Sequence, residues 1–375
     1  MSRERKFPHF MLKEIYEQPR AVMDAIASYL SPESQQKALE DVRLSDEQIQ
    51  QIRKINIVAS GASRHAGMAG EFMIERLARV PAEVDFASQY CYRDPITEPG
   101  ELTILLSQSG TTADTLAAQR EAQAKGARTV AICNVKGSPI TKESDGNVYT
   151  HCGEEVSVAA TKSFTAQLIA LFALAVHLGS VRRSLTAVET RAHLDALMAL
   201  PEKVQRAVET DESTKALAKE FQEANSFMFL GRDISYPIAL EGALKLKETS
   251  YIYAEGFPTG EMKHGPNALV DENLPVVMIL TRDANDPESA VRHEKSVSLL
   301  GEISKRGTRV IAVAIANDAE VKRLAAHVIE VPEAPTLLLP VLEIIPLQLL
   351  AYHIAVLRGV DVDHPRNLSK SVITE

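Results

Sequence analysis

Short apolar runs alternate with longer amphipathic stretches along this chain. The run "LTILL" at residues 102–106 gives way to uncharged polar residues before a helical pattern begins near Ala113. The stretches "KINIVASGAS" (54–63) and "NSFMFLGRDIS" (225–235) repeat this scheme, in which a strand enters a small-residue turn and a helix follows. Strands that alternate with helices predict parallel sheets covered by helices on both faces.

The same pattern occurs in both halves of the chain. "AKGARTVAICN" (124–134) and "SKRGTRVIAVAIAN" (304–317) each combine a basic helix end, a glycine C-cap and a β-branched strand. Two copies of a βαβαβ unit are predicted, at about residues 52–179 and 224–359, with polar connecting helices between them. The predicted fold class is therefore α/β, with two doubly wound, flavodoxin-like parallel sheets.

Composition narrows the possible functions. The net charge of −9 argues against a nucleic-acid partner, because such proteins present a basic patch. The three scattered cysteines suggest neither a disulfide framework nor a zinc site, and no metal or cofactor is predicted. No uninterrupted apolar run reaches the roughly 18 residues of a membrane span, and no apolar stretch follows the basic N-terminus as in a signal peptide. We therefore expect a cytoplasmic protein that does not enter a membrane.

The polar turn after residues 102–106 is the first candidate site. Ser107, Gln108, Ser109 and Thr112 stand where a parallel strand ends and a helix begins, so backbone N–H groups and the helix dipole point to one spot. Gly110 permits a close backbone approach. An ordinary N-cap with a polar turn is the alternative, but the number of hydroxyls favours a cradle for a phosphate monoester. Neither strand is followed by GxxxxGK[ST] or GxGxxG, which argues against a nucleotide loop.

Four separated motifs carry a family resemblance. "SQSGTTADT", "EGALKLKE", "HGP" and the tail "DVDHPRNLSKSV" resemble the sugar-isomerase (SIS) half of the glucosamine-6-phosphate synthases, and the similarity runs from residue 9 to the last residues. The resemblance implies two SIS subdomains, no metal, a hexose 6-phosphate substrate and a homodimer with active sites at the subunit junction. The expected divisions are an N-terminal helical segment (1–51), a first SIS subdomain (52–200), a second (201–359) and a catalytic tail (360–375).

The helix motif "EGALKLKE" places Glu241, Lys245 and Glu248 within about 60° of one face. Taken alone, this spacing is typical of a surface salt-bridge ladder. The resemblance instead assigns Glu248 the proton transfer between C1 and C2 of the open-chain sugar, and Lys245 the stabilisation of the reacting oxygens.

The resemblance implies two further catalytic residues. It assigns ring opening to His264, which would reach into the neighbouring subunit's site, and a Schiff base with the keto carbon to Lys370. It assigns phosphate and substrate binding to Ser63, Ser107, Gln108, Ser109, Thr112, Val158 and Ala160.

This chain departs from the family pattern at three positions. Ala62, Thr111 and Ala160 stand where the family usually has threonine, glutamate and serine. The phosphate cradle keeps most of its hydroxyls, whereas recognition of the sugar hydroxyls is the part of the site that these changes affect.

The synthases of this family carry an N-terminal glutaminase half whose nucleophile is a cysteine. The first cysteine here is Cys91, and the opening "MSRERKFPHF" resembles the connector. We therefore expect no glutamine hydrolysis by this chain, and ammonia from a separate source.

The sequence leaves several functions open. The first is interconversion of fructose 6-phosphate plus ammonia with glucosamine 6-phosphate, in the synthetic direction or as a catabolic deaminase. A plain aldose–ketose phosphate isomerase is the next alternative. A non-catalytic sugar-phosphate sensor ranks last, because nothing like a basic helix-turn-helix domain precedes residue 52.

Overall fold

The computed structural model describes residues 6–30 and 40–374, and the chain within it forms two compact units. The first-sheet unit consists of Arg20–Gly153, Ser163–Pro201 and Ser371–Glu375. The second-sheet unit consists of Met1–Pro19, Glu154–Lys162 and Glu202–Lys370. The predicted N-terminal segment 1–51 lies partly outside the described residues, and within them it contains helices α1 (Phe10–Tyr29) and α2 (Asp46–Gln50).

The first-sheet unit is built on five parallel strands in the order β2-β1-β3-β4-β5. The strands are β1 (Lys54–Ala59), β2 (Ala82–Phe86), β3 (Glu101–Ser107), β4 (Arg128–Cys133) and β5 (Gly146–Tyr149). The helices are α3 (Gly61–Ala78), α4 (Ala87–Tyr90), α5 (Ala113–Ala124), α6 (Pro139–Glu143), α7 (Lys162–Val181) and α8 (Ala187–Met198). Every residue of the central strand β3 is buried, as expected for a strand covered on both faces.

The second-sheet unit repeats this arrangement, with five parallel strands in the order β10-β9-β8-β6-β7. The strands are β6 (Ser226–Gly231), β7 (Tyr253–Pro258), β8 (Val276–Leu280), β9 (Val310–Ile315) and β10 (His327–Val331). The helices are α9 (Leu200–Val208), α10 (Asp211–Phe221), α11 (Tyr236–Ser250), α12 (Pro287–Ser304), α13 (Ala319–Leu324) and α14 (Leu339–Leu357).

The two sheets are topological copies of each other. The strand β6 occupies the position of β1, and β8 occupies that of β3, with its neighbour β9 corresponding to β4. The predicted fold class is confirmed, and α8, α9 and α10 occupy the segment predicted to connect the two halves. Because ligands of such sheets bind beyond the carboxyl ends of the strands, each unit has one edge where a site is expected.

Two helices are long and apolar enough to cross a membrane by length and hydropathy alone. They span Lys162–Val181 and Thr336–Leu357, and 83% and 100% of their most apolar 18-residue windows are buried inside the folded chain. Polar side chains such as Gln167 and Glu343 interrupt both apolar runs. A helix in the core of a protein has the same length and hydropathy, and we interpret both helices in that way.

Candidate active site

The predicted phosphate cradle lies at the carboxyl end of β3. Ser107 is buried, and its hydroxyl oxygen accepts a hydrogen bond from the Gly110 N–H at 3.0 Å and lies 3.3 Å from the Thr112 hydroxyl. The Ser109 and Thr111 hydroxyls are 2.9 Å apart. The loop therefore turns several hydroxyl groups toward the start of α5, where the helix dipole favours an anion.

Glycine at position 110 allows this loop to pack closely against Ser138. Gly110 has a φ of +70°, and a Cβ added there would lie 2.1 Å from the Ser138 hydroxyl oxygen. Both the left-handed backbone and the close approach require glycine, since any larger residue would push the loop outward.

The hydroxyl of Ser63 belongs to the same edge, because β1 pairs directly with β3 and Ser63 lies in the first turn after β1. The Gln167 side-chain amide on α7 donates to the Ser63 oxygen at 2.9 Å, which leaves the Ser63 proton available to a ligand. The predicted residues Ser63, Ser107, Gln108, Ser109 and Thr112 thus all lie in the first-sheet unit, at the ends of adjacent strands.

Val158 and Ala160 lie in the second-sheet unit, on the segment Glu154–Lys162. The buried carboxylate of Glu14 anchors this segment by accepting hydrogen bonds from the Val156 N–H (2.5 Å), the Ser157 N–H (3.2 Å) and the Ser157 hydroxyl. Burial raises the pKa of Glu14, and the three hydrogen bonds oppose that effect. The Val158 N–H donates to the Asp363 carbonyl oxygen at 3.1 Å.

Lys370 is held by the same segment. Its ammonium donates to a Glu155 carboxylate oxygen at 2.5 Å and to the Ser157 carbonyl oxygen at 2.8 Å. The Glu155 side chain is fully buried, whereas 25% of the Lys370 side chain is exposed. The predicted Schiff-base lysine therefore has a fixed position beside a buried carboxylate.

The tail before Lys370 is an ordered turn. The Asp363 carboxylate accepts hydrogen bonds from the N–H groups of Phe10 (2.9 Å) and Met11 (2.8 Å) at the start of α1. The Arg366 N–H donates to the Tyr251 hydroxyl at 2.7 Å. These contacts within the second-sheet unit account for the order of a segment that would otherwise fray.

Helix α11 carries the predicted triad of Glu241, Lys245 and Glu248, most of which is buried. Lys245 is 1% exposed, and its ammonium lies 2.6 Å from a Glu248 oxygen and 3.3 Å from a Glu241 oxygen. Burial alone would lower the pKa of Lys245, but the two carboxylates more than offset this and raise it. The interpretation of this spacing as a surface ladder is wrong, because Glu241 and Lys245 are buried and Glu248 keeps only 22% of its side chain exposed.

His264 lies elsewhere in the second-sheet unit, at the end of the 3₁₀ segment Thr259–His264, and is exposed. Within residues 6–30 and 40–374, no hydrogen bond joins it to Lys245, Glu248 or Lys370. The structure therefore brings Lys245 and Glu248 together but leaves His264 separate from them in hydrogen bonding.

Sequence reasoning missed two carboxylates of this site. Glu14 and Glu155 have no local pattern that marks them as buried, since their partners lie 143 and 215 residues away. In the part of the chain that the structure describes, no group of three or more His, Cys, Asp or Glu side chains is arranged to hold a metal ion.

Comparison with known proteins adds to this geometry. The SIS domain family matches residues 48–177 and 220–358. The glutamine–fructose-6-phosphate aminotransferase [isomerizing] of Chlorobaculum tepidum is 47% identical over 369 residues, and that of Thermus thermophilus is 45% identical. Each alignment covers 98% of this chain and 59% of the relative, so the chain spans about three-fifths of the length of these relatives.

Solved structures show the same relationship. The C-terminal domain of glucosamine-fructose-6-phosphate aminotransferase from Francisella tularensis is 38% identical with a TM-score of 0.89, and the match covers 97% of this chain and 100% of that one. A putative phosphosugar isomerase from Silicibacter pomeroyi is 27% identical with a TM-score of 0.77, covering 95% and 100%. The family model matches both sheets of this chain, and the F. tularensis domain is matched over its whole length. This chain therefore belongs to the SIS domain family.

Proposed function

We propose that this chain interconverts fructose 6-phosphate plus ammonia with glucosamine 6-phosphate. The observation that carries the proposal is the buried triad on α11, in which a charged Lys245 holds the partly exposed carboxylate of Glu248 at 2.6 Å. A carboxylate next to a fixed positive charge is a suitable base for a proton on the carbon beside a carbonyl or imine. The C. tepidum and T. thermophilus relatives are named as isomerizing glutamine–fructose-6-phosphate aminotransferases, which supports fructose 6-phosphate as the sugar and amino transfer as the class of reaction.

The substrate's phosphate is bound by the hydroxyls at the carboxyl ends of β1 and β3. Ser109 and Thr112 donate from the loop, and Ser63 donates from the first turn of α3. Each charge-assisted hydrogen bond to phosphate contributes about 1.5–3 kcal/mol, so a few of them suffice for specific binding.

The nitrogen chemistry begins at Lys370. Its amine becomes nucleophilic when Glu155, at 2.5 Å, accepts the ammonium proton; it then attacks C2 of the open-chain ketose, and water leaves as the imine forms. Ammonia displaces the lysine from this imine. Glu248 removes a proton from C1 of the new imine and returns it to C2. The proton of the C1 hydroxyl passes to the nitrogen, so C1 becomes the aldehyde and C2 carries the amine, and the charge of Lys245 stabilises the electron-rich intermediate.

Two copies of the chain share each active site in this proposal. His264 is exposed and makes no hydrogen bond to the triad in the described residues, which supports a role for it in the site of a second copy, where it opens the sugar ring. The variants E248Q and H264N are each expected to be inactive alone. Mixing them after reversible dissociation is expected to restore part of the activity, because one site of the mixed dimer then has both residues. A mixture that stays inactive contradicts sharing.

The experiment on the reaction itself is incubation of the purified chain with fructose 6-phosphate and ammonium, and separately with glucosamine 6-phosphate. Solvent-deuterium exchange at C1 of fructose 6-phosphate is followed with and without ammonium. E248Q is expected to lose both turnover and exchange by about 10²–10⁴-fold, since it removes the acid–base group and keeps the volume. The exposed Glu272 provides the matched control E272Q, which should change neither rate.

Each alternative function gives its own outcome. Turnover of glucosamine 6-phosphate alone would indicate a catabolic deaminase, and exchange that never leads to amino sugar would indicate a plain isomerase. Binding without exchange would indicate a sensor. Replacing ammonium by glutamine tests the expected need for free ammonia.

The charged sugar phosphates and the burial of both long apolar helices fit a cytoplasmic enzyme.

Lys370 gives a separate signature. Borohydride reduction in the presence of fructose 6-phosphate should attach the sugar to the parent chain, and K370A should show no such adduct while its phosphate cradle still binds the sugar. An adduct on K370A would show that another amine forms the imine.

A further inference from the structure

The second-sheet unit has a small pocket at the same topological position as the phosphate cradle. The pocket lies beyond the carboxyl ends of β6 and β8, the counterparts of β1 and β3, and has a volume of about 20 Å³. That space holds about one water-sized group, so one oxygen of an oxyanion can enter it and the rest of the head group must lie at the open side.

Apolar side chains form part of the lining of this pocket, and the polar side chains beside them are mostly cationic or carry hydroxyls. The polar side chains include Arg232, Ser235, Thr281, Ser289, Arg292 and Ser296. No carboxylate is among the lining side chains in the part of the chain that the structure describes. The lining therefore suits an anion, as the cradle of the first-sheet unit does, but it supplies full positive charges in place of neutral donors alone.

The charge of Arg232 is not neutralised by an ion pair within the described residues. Its only hydrogen bond in the described residues is from Nε to the Ser296 hydroxyl at 3.3 Å, and it takes part in none of the ion pairs there. The neighbouring Arg292, in contrast, pairs with Asp233 at 2.9 Å and Asp286 at 3.0 Å. Burial lowers the pKa of Arg232, and no acidic neighbour compensates for its desolvation. Among the described residues, its two terminal nitrogens have no hydrogen-bond partner.

The hydroxyls that line the pocket differ from those of the cradle in their hydrogen bonding, and this difference explains why a bound anion needs a positively charged donor. In the first-sheet unit Gln167 on α7 donates to Ser63 and leaves the serine proton free. In the second-sheet unit Glu343 on α14 accepts hydrogen bonds from the Ser235 hydroxyl at 2.9 Å and from the Thr281 hydroxyl, so both protons are already used. An anion here has to be bound by the guanidinium instead.

We propose that this pocket binds an oxyanion, a phosphate or carboxylate head group, with Arg232 as its principal donor. Bidentate pairing with two oxygens is the arrangement for which a guanidinium is shaped. The pocket is lined by residues of the second-sheet unit, and none of the proposed substrate-binding or catalytic residues is among them.

The test is calorimetric titration with inorganic phosphate, and separately with acetate, at constant ionic strength in chloride. The background is S109A/T112V, which removes two cradle donors, and loss of fructose 6-phosphate binding in that background checks the cradle independently of this pocket. One phosphate or acetate site should remain there. Adding R232Q should weaken it by about tenfold or more, because a charge-assisted pair is lost.

Two further variants keep the result interpretable. Arg323 is exposed on α13, and adding R323Q as the matched loss of charge should leave binding unchanged. Adding R232K, which keeps the charge and loses the planar fork, should give intermediate affinity. The proposal is overturned if neither anion binds in the S109A/T112V background, or if R232Q binds as tightly as R323Q.

Discussion

Glu343 should make the stability of this protein fall as pH rises toward neutrality. The carboxyl is fully buried on α14, where Ser235 and Thr281 donate to it, and its Oε2 has no hydrogen-bond partner in the described structure. Burial raises the pKa of Glu343 to about 7 from an ordinary value of 4.5, and the two hydroxyls offset only part of this effect.

The direction and the magnitude of this pH dependence follow from the pKa of Glu343 in the unfolded and folded chain. Between pH 4.5 and 7 the unfolded chain has lost the proton of Glu343 while the folded chain keeps it, so stability is complete below pH 4.5 and is lost as pH rises through 7. At about 1.36 kcal/mol per pKa unit, the full contribution is about 3 kcal/mol, of which about 2.5 kcal/mol is lost between pH 5 and pH 8.

The substitution E343Q isolates this contribution, because glutamine has the same shape and does not ionise. Urea unfolding followed by circular dichroism at several pH values should show E343Q gaining about 2.5 kcal/mol relative to the parent from pH 5 to pH 8. The exposed-site variant E272Q should follow the parent at every pH. If the E343Q and parent curves run parallel, Glu343 is not a buried acid with a raised pKa, and the reasoning fails.

Two other substitutions test the packing beneath the site. K245M should lower the free energy of unfolding in urea by about 3–5 kcal/mol, because it leaves the buried Glu241 without its counter-charge. The double variant E241Q/K245M should recover much of that loss. Equal losses in the two variants would contradict the role of charge. G110A should lower the thermal midpoint and the affinity for fructose 6-phosphate more than G137A, since both glycines have positive φ but only Gly110 would bring a Cβ against Ser138. Equal effects of the two alanines would show that backbone strain, and not the contact with Ser138, governs the loop.

The sheets and the position of the polar turn after β3 could be predicted because their signals are local. A strand, a polar turn and a helix follow each other within residues 102–118, and parallel topology brings Ser63 beside them through the pairing of β1 with β3. The spacing of three residues on one helix likewise predicted the contact between Lys245 and Glu248 without any knowledge of the rest of the chain.

Burial and long-range pairing could not be predicted in the same way. The α11 motif has the spacing of a solvated ladder, and only the packing of the helix shows that Glu241 and Lys245 are enclosed. Glu14, Glu155 and Glu343 are single carboxylates within ordinary helical or loop sequence, and their roles depend on partners that tertiary structure alone brings near.

The contact between the first helix and the tail also sets a waiting time during synthesis. The N–H groups of Phe10 and Met11 bond to Asp363, about 350 residues later in the chain. At about 5–20 residues per second, a ribosome needs about 20–70 s to make the intervening segment. Throughout that interval the N–H groups of Phe10 and Met11 lack their Asp363 partner, so the start of α1 reaches its final hydrogen bonding only after residue 363 has been made.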